Sequence, residues 1–378
     1  MFYLLYFYRK SVLGRHSILE INKNALLYNL NLVREKILPS QKILAIVKAD
    51  AYGLGAQEIA RLYQKNGIDF FAVACIQEAE ELRNAGISTP ILVLSPFFEE
   101  EIDEYFHFDI IPTLTDFSRA KTLSEKARKM NKDVKAHFKI DTGMGRLGFR
   151  WNEAKDEILK ISGLKNIHLE GLFSHFPSAD IEDDFSLEQI SRFKETAEIL
   201  SEKGIFFHYK HIANTSGILR YNDPYFNLVR PGIVLYGAYP SSQMSAYIKP
   251  QTAAVWKSRI IQTKKLKQGD SVSYGRIHTL NQPKEIGIVP VGYADGFSTL
   301  NSEKGFVYAE KHLCPVLGRV CMDYFMIDIT GKKIHTGSEV MIYGDEPEIR
   351  VEKTAERTGL ISYEILTGIS KKTDRFYF

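Results

Sequence analysis

Between residues 42 and 236 the chain alternates two kinds of segment. Short apolar runs, rich in β-branched and aromatic residues, recur as KILAIVK (42–48), FFAVAC (70–75), ILVLS (91–95), IIPTL (110–114), KAHFKID (135–141), LEGLFSH (169–175), YKHIAN (209–214) and LVRPGIVLY (228–236). Between most of them lie stretches with helical spacing, such as AQEIARLYQKNG, IQEAEELRNAG, DFSRAKTLSEKARKMN and LEQISRFKETAEILSEKG. Several close on Gly or Asn, which tolerate the left-handed conformation that ends helices. Strands apolar on both faces and alternating with helices belong to a parallel sheet covered on both sides. Eight such units in about 200 residues predict a (β/α)8 TIM barrel.

Beyond residue 240 the texture changes. TAAVWKSRIIQTKKLKQGDSVSYG, EIGIVPVGYADG, CPVLGRVCMDYFMIDIT and SEVMIYGDE read as strands cut by Gly and Asp turns, with one helical stretch in KTAERTGLISYEILTGI. The fold class is therefore α/β: a barrel over 16–245, then a mostly β-strand domain over 246–378, with a boundary near GAYPSSQMSAYIKP. Residues 1–15 form an aromatic extension with no assigned role.

Composition adds exclusions. With 44% hydrophobic and 25% charged residues among 378, the chain has an ordinary globular make-up. A net charge of +3, with both signs mixed along the chain, argues against a nucleic-acid binder. Cys75, Cys314 and Cys321 form no paired or metal-ligand spacing and suit a reducing cytoplasm. The opening MFYLLYFYRK is far shorter than the ~20 apolar residues of a membrane span, and lacks the basic start and small-residue cleavage site of a signal peptide.

In a barrel of this kind the chemistry sits at the C-terminal ends of the strands. Lys48 ends the first strand; Lys139, Asp141 and Arg146 follow the fifth; His175 ends the sixth. Asn214, Thr215 and Ser216 follow the seventh, and Arg230 with Gly232 belongs to the eighth. NTSG and RPGI supply hydroxyls and open backbone N–H groups where barrels often hold phosphate. A lysine at one strand end facing a phosphate pocket suggests pyridoxal phosphate (PLP), held as a Schiff base.

Nine motifs carry a resemblance: AIVKADAYGLGA, KIDTGMGRLG, GLFSHF, HIANTSG, LVRPGIVLYG, SVSYGR, VGYADG, GRVCMD and SYEILTGI. Together, in order from about residue 17 to the C-terminus, the chain resembles the alanine racemases. The resemblance implies that Lys48 bonds the cofactor and acts as one base at Cα. Tyr274, reaching in from the partner subunit of a homodimer, is then the opposite-face base. It implies a phosphate site from Tyr52, Thr215, Gly232, Ile233 and Tyr363, with Asn214 alongside. Arg230 faces the pyridine nitrogen and is held by His175, while Arg146 and the backbone of Met322 handle the substrate carboxylate. Lys139 matches a position that is often carbamylated, and Asp180 and Tyr293 match residues lining an entry channel. One departure is Thr215, where the family often has serine; the hydroxyl survives.

The chemistry agrees. Racemisation takes a proton from one face of Cα and returns one to the other, so it needs two opposed bases whose pKa values approach the working pH. An arginine at the ring nitrogen can only donate, which weakens the ring as an electron sink and disfavours side reactions; a decarboxylase of the same barrel type carries an acid there. The expected activity is interconversion of L- and D-alanine for peptidoglycan supply, with no metal.

Other readings are weighed against these residues. GMGRLG (143–148) is literally GxGxxG with Glu170 downstream, but the helix after it starts beyond the glycines, so the motif shapes the Arg146 loop instead of a dinucleotide site. A racemase of another small amino acid, such as serine, would keep the same catalytic set. A PLP-binding carrier without turnover would need no β domain and no Tyr274.

Overall fold

The structure is a computed structural model that describes residues 17–378. The extension expected at residues 1–15 lies outside them. The first strand, β1, is Ser17–Ile21, and the barrel is built from β2 (Lys42–Ile46), β3 (Phe70–Val73), β4 (Ile91–Val93), β5 (Thr113–Leu114), β6 (Val134–Asp141), β7 (Ile167–Phe173), β8 (Tyr209–His211) and β9 (Leu228–Val229). Each barrel strand overlaps one of the apolar runs read from the sequence, and β6 and β7 start one and two residues before theirs. They pair in parallel: β9 with β2, β2 with β3, β3 with β4, β5 with β6, β6 with β7 and β7 with β8. A parallel bridge between Leu92 and Ile111 joins the two sheets. Arg230 N donates to Ala213 O at 2.9 Å and closes the ring.

Several runs predict longer strands than form. LVRPGIVLY pairs only through Leu228–Val229, because Pro231 has no N–H for a ladder. The chain then turns into a single 3-10 turn over Ile233–Tyr236. Helices wrap the outside, and three of them start at side-chain caps. Asn22 accepts from the N–H groups of Asn24 and Ala25, and Asp116 from that of Arg119, each such cap stabilising its helix by about 1 kcal/mol.

The second layer is a nine-stranded sheet. It contains β10 (Ala254–Arg259), β11 (Gln262–Leu266), β12 (Lys284–Val289), β13 (Phe306–Ala309), β14 (His312–Leu317), β15 (Phe325–Asp328), β16 (Glu339–Tyr343) and β17 (Asp374–Tyr377). The order is β11-β12-β15-β14-β13-β16-β10-β1-β17. Trp256, Phe297, Phe325 and Tyr343 are buried together beneath it.

Ser17–Ile21, grouped with the barrel from sequence, pairs instead with β10 and β17 of this second sheet. Its SILEI alternation, buried at every other residue, is the signature of a one-sided strand, unlike the barrel's continuous apolar runs. The C-terminus is tied to the same place: Lys23 N donates to Phe378 O at 2.9 Å, and Phe378 N to Ile21 O at 3.0 Å.

Candidate active site

Lys48 follows β2 directly, and the backbone after it is unusual. Ala49, Asp50, Ala51 and Tyr52 all have φ between 52° and 56°, forming a left-handed turn of four non-glycine residues. Each such residue costs roughly 1–2 kcal/mol, so surrounding contacts must hold the turn. Glu78 accepts the Ala49 N–H at 2.6 Å, and Asp50 accepts that of Ala56 at 2.8 Å. From β17, Arg375 donates to Gly53 O at 2.9 Å and Tyr377 to Leu54 O at 2.7 Å. A Cβ on Gly53 would meet Leu366 O at 2.7 Å, and one on Gly55 would meet the Tyr377 hydroxyl at 1.8 Å. The second domain thus clamps the turn that aims Lys48 and Tyr52.

Both side chains line a cavity of about 740 Å³ at the barrel mouth, together with Lys139, Arg146, His175, Asp180, Asn214, Thr215, Arg230, Gly232 and Tyr363. This volume is within the usual range for a small-molecule site. Burial and the Arg146 charge lower the Lys48 pKa, against an opposing pull from Glu78. Lys139 is brought down to about 8, first by burial and then by Arg146 and Arg230.

The loop carrying Arg146 is shaped by Asp141, whose carboxylate accepts the N–H groups of Gly143, Gly145 and Arg146 at 2.9–3.1 Å. Gly148, at φ 116°, packs where a Cβ would meet Lys139 O at 2.7 Å. GMGRLG is therefore a presenting loop, as the spacing predicts.

Arg230 is held in the barrel interior through its two terminal nitrogens. It donates to Ser174 O (2.7 Å), Ile212 O (3.1 Å), His211 Nδ1 (2.8 Å) and His175 Nδ1 (3.1 Å). Burial and Arg146 lower its pKa to about 9, which leaves it cationic at neutral pH. Because the guanidinium only donates, His175 Nδ1 is an acceptor there and the ring proton sits on Nε2. Burial first, then the cations Arg230, Arg146, Lys139 and Lys48, push the His175 pKa well below its ordinary value, so the ring is neutral.

These residues suit PLP. An amine is present in Lys48, and Arg230 offers donors to a ring nitrogen. Buried hydroxyls of Thr215 and Tyr52 meet the Gly232 backbone, whose N–H donates to Thr215 Oγ1 at 3.1 Å. A Cβ on Gly232 would lie 2.5 Å from the Tyr52 hydroxyl, so the cradle exists only because residue 232 is glycine. Asn214 caps the following helix by accepting from Gly217 N at 3.0 Å.

Four expected residues are not in this cavity. Ile233 is wholly buried in the core beside Gly232. Tyr274, Tyr293 and Met322 stand on the β domain, exposed to 68%, 46% and 53%. They share one face: Tyr293 N donates to Cys321 O at 3.0 Å, and Ser273 Oγ lies 3.2 Å from Cys321 Sγ. Within one chain the geometry brings together Lys48, Arg146, Arg230 and the hydroxyl cradle, and leaves Tyr274 facing outward.

Sequence reasoning missed the clamp from Arg375 and Tyr377, and the pair His137 and His211 behind Arg230. Two histidines on β6 and β8, the strands flanking β7, were the available signal for the latter.

The alanine racemase N-terminal domain model matches residues 21–240, and the alanine racemase C-terminal domain model matches residues 253–377. Alanine racemase 2 of Caldanaerobacter subterraneus subsp. tengcongensis is 37% identical over 368 residues, covering 96% of this chain and 95% of that protein. The alanine racemase structure of Clostridium difficile 630 superposes with a TM-score of 0.91 at 36% identity, covering 96% of each chain. The Bartonella henselae alanine racemase, whose structure has covalently bound pyridoxal phosphate, gives a TM-score of 0.88 at 29% identity, covering 97% of this chain and 100% of that one. With both domains matched in order along nearly its whole length, this chain belongs to the alanine racemase family.

Proposed function

We propose that this chain interconverts L- and D-alanine with PLP, in a homodimer whose two active sites each draw on both subunits. The observation that carries the reading is the convergence of Lys48, Arg146, Arg230 and the Tyr52–Thr215–Gly232 cradle on one cavity in a chain of this family.

Bound there, the cofactor supplies the electron withdrawal that makes the alanine Cα–H acidic. The remaining work falls to side chains. Tyr52, Thr215 and Gly232 would hold the phosphate, with Tyr363 and the backbone at Ile233 closing that end. Arg146 pairs with the substrate carboxylate, a charge-assisted contact roughly twice as strong as a neutral one. Arg230, a cation that only donates, would leave the ring nitrogen of a bound cofactor unprotonated. Lys48, its pKa lowered by burial and Arg146, moves the Cα proton on one face.

Tyr274 handles the other face from the second subunit. Its exposure on its own chain, beside exposed Met322 and Tyr293, supports that arrangement. In the assembled site Met322 offers its backbone to the carboxylate, and Tyr293 with Asp180 narrows the entrance. Lys139, brought down to about 8, has an appreciable neutral fraction at neutral pH. The neutral amine can add CO2 and release a proton, giving a carbamate anion that braces Arg146. Among the described residues no helix is long and apolar enough to cross a membrane. We place the enzyme in the cytoplasm, supplying D-alanine for peptidoglycan precursors.

The test is chiral chromatography of L-alanine and L-serine after incubation with PLP-loaded protein in deuterated water. D-alanine carrying deuterium at Cα, formed well ahead of D-serine, is the expected result. A protein that holds PLP yet yields neither D-alanine nor Cα deuterium overturns the reading.

A further inference from the structure

Arg230 is a buried cation whose four partners are two imidazoles and two backbone carbonyls, none of them an anion. Burying a charge without a counter-charge is costly, and a line of buried polar groups leads outward from this one. His211 Nε2 lies 2.9 Å from His137 Nδ1, and His137 Nε2 faces Glu170 Oε2 at 3.6 Å. Both histidines are wholly buried. His137 Nε2 and Glu170 Oε2 are otherwise buried atoms without a hydrogen-bond partner, and they face one another. The other Glu170 oxygen pairs at 3.1 Å with Lys135 Nζ, on a side chain 68% exposed.

We propose that Glu170 is a positioning residue that anchors Arg230 through a one-way hydrogen-bond chain, Arg230 to His211 to His137 to Glu170. The inference rests on the reading above, in which Arg230 faces the cofactor ring.

The direction follows from donor chemistry. A guanidinium only donates, so His211 Nδ1 accepts and the proton of that neutral ring sits on Nε2. That N–H donates to His137 Nδ1, which places the second ring's proton on Nε2, facing the carboxylate. A small approach from 3.6 Å completes the last bond. The chain then holds one cation, two neutral rings and one anion, and balances. Reversing any link would set two donors or two acceptors against each other.

The barrel is built to admit this column. A Cβ at Gly171 would lie 2.5 Å from His137 Nδ1, so only glycine leaves room for the ring. The β6–β7 register shifts between Ala136 and His137, at the same level. Phe173 stacks on His211 at 4.9 Å and 7°, and Arg230 lies over the same ring at 5.6 Å, so both ring and guanidinium are fixed in plane. Glu170 does not touch substrate or cofactor; it sets which atoms of Arg230 remain to meet the ring nitrogen.

Neutron diffraction from crystals of the deuterated holoenzyme tests the chain directly. Deuterium on Nε2 of both His137 and His211, with neither Nδ1 deuterated, is expected. Deuterium on Nδ1 of either ring overturns the proposal, and this needs no mutation to fold. In kinetics, Glu170→Gln should keep its cofactor and lower kcat about tenfold with KM nearly unchanged, the scale seen when a hydrogen-bonded partner behind a site residue is lost. Lys135→Ala, outside the chain, should leave kcat unaltered. The double variant Glu170→Gln, His137→Asn should lose no more than the worse single one, because members of one network are not additive. A cofactor-loaded Glu170→Gln enzyme with unaltered kcat, or fully additive losses, also overturns it. If the unmodified enzyme racemises no alanine, the function reading falls while the deuterium positions still decide the chain.

Discussion

Lowering the pH from 7.5 to 5.5 should destabilise the cofactor-free protein by up to about 4 kcal/mol. His137, His175 and His211 are buried neutral, and burial holds all three below their ordinary pKa of 6.5. Once unfolded, each titrates near 6.5 and takes up a proton in that interval, which burial opposes in the folded protein. A group with a depressed folded pKa contributes stability above its unfolded pKa and loses it as pH falls toward the folded value. Integrating the linkage relation from pH 7.5 to 5.5 yields about 1.4 kcal/mol per histidine, against total stabilities of about 5–15 kcal/mol. The assay is the urea-unfolding midpoint at a series of pH values, in the cofactor-free protein so that loss of PLP does not contribute. His137→Gln, which cannot titrate, should remove about a third of the slope. A midpoint constant from pH 7.5 to 5.5 would refute the argument, since it would mean that the three rings are already charged or exposed when folded.

Four further outcomes are expected. Mixing inactive Lys48→Ala subunits with inactive Tyr274→Phe subunits should restore about a quarter of full activity, because half the dimers are mixed and each mixed dimer rebuilds one intact site; no restoration would place both bases on one chain. Arg375→Ala should cost about 2 kcal/mol through lost carbonyl contacts and weaken PLP binding, read by thermal unfolding and cofactor titration. Gly232→Ala should weaken PLP binding at least tenfold while the protein stays folded, since the added methyl would come within 2.5 Å of the Tyr52 hydroxyl and displace it; equilibrium dialysis with circular dichroism checks both. Carbon-13 bicarbonate should produce a carbamate NMR signal that Lys139→Ala lacks, growing as pH rises toward about 8 and the amine loses its proton.

The barrel was legible because burial on both faces leaves a continuous apolar run, and each of the eight runs holds one strand. Lys48, Arg146 and Arg230 were legible because polar residues at such strand ends have few other reasons to be there. The left-handed turn was not: Ala49, Asp50, Ala51 and Tyr52 contain no glycine, and their conformation is imposed by Glu78, Arg375 and Tyr377 from distant parts of the chain. The place of Ser17–Ile21 was equally hidden, because its partners lie at residues 254–258 and 374–377. Tyr274 shows the opposite limit: its family motif marks it, while the surface of a single chain leaves it open to water.

The clamp on the left-handed turn also sets an order on synthesis. Arg375 and Tyr377 lie more than 300 residues beyond Lys48 along the chain, and they secure the turn that follows it. A nascent chain can assemble the barrel wall but cannot finish the lysine's seat until Arg375 and Tyr377 have been made. A product interrupted before that point lacks the contacts that aim Lys48 into the cavity.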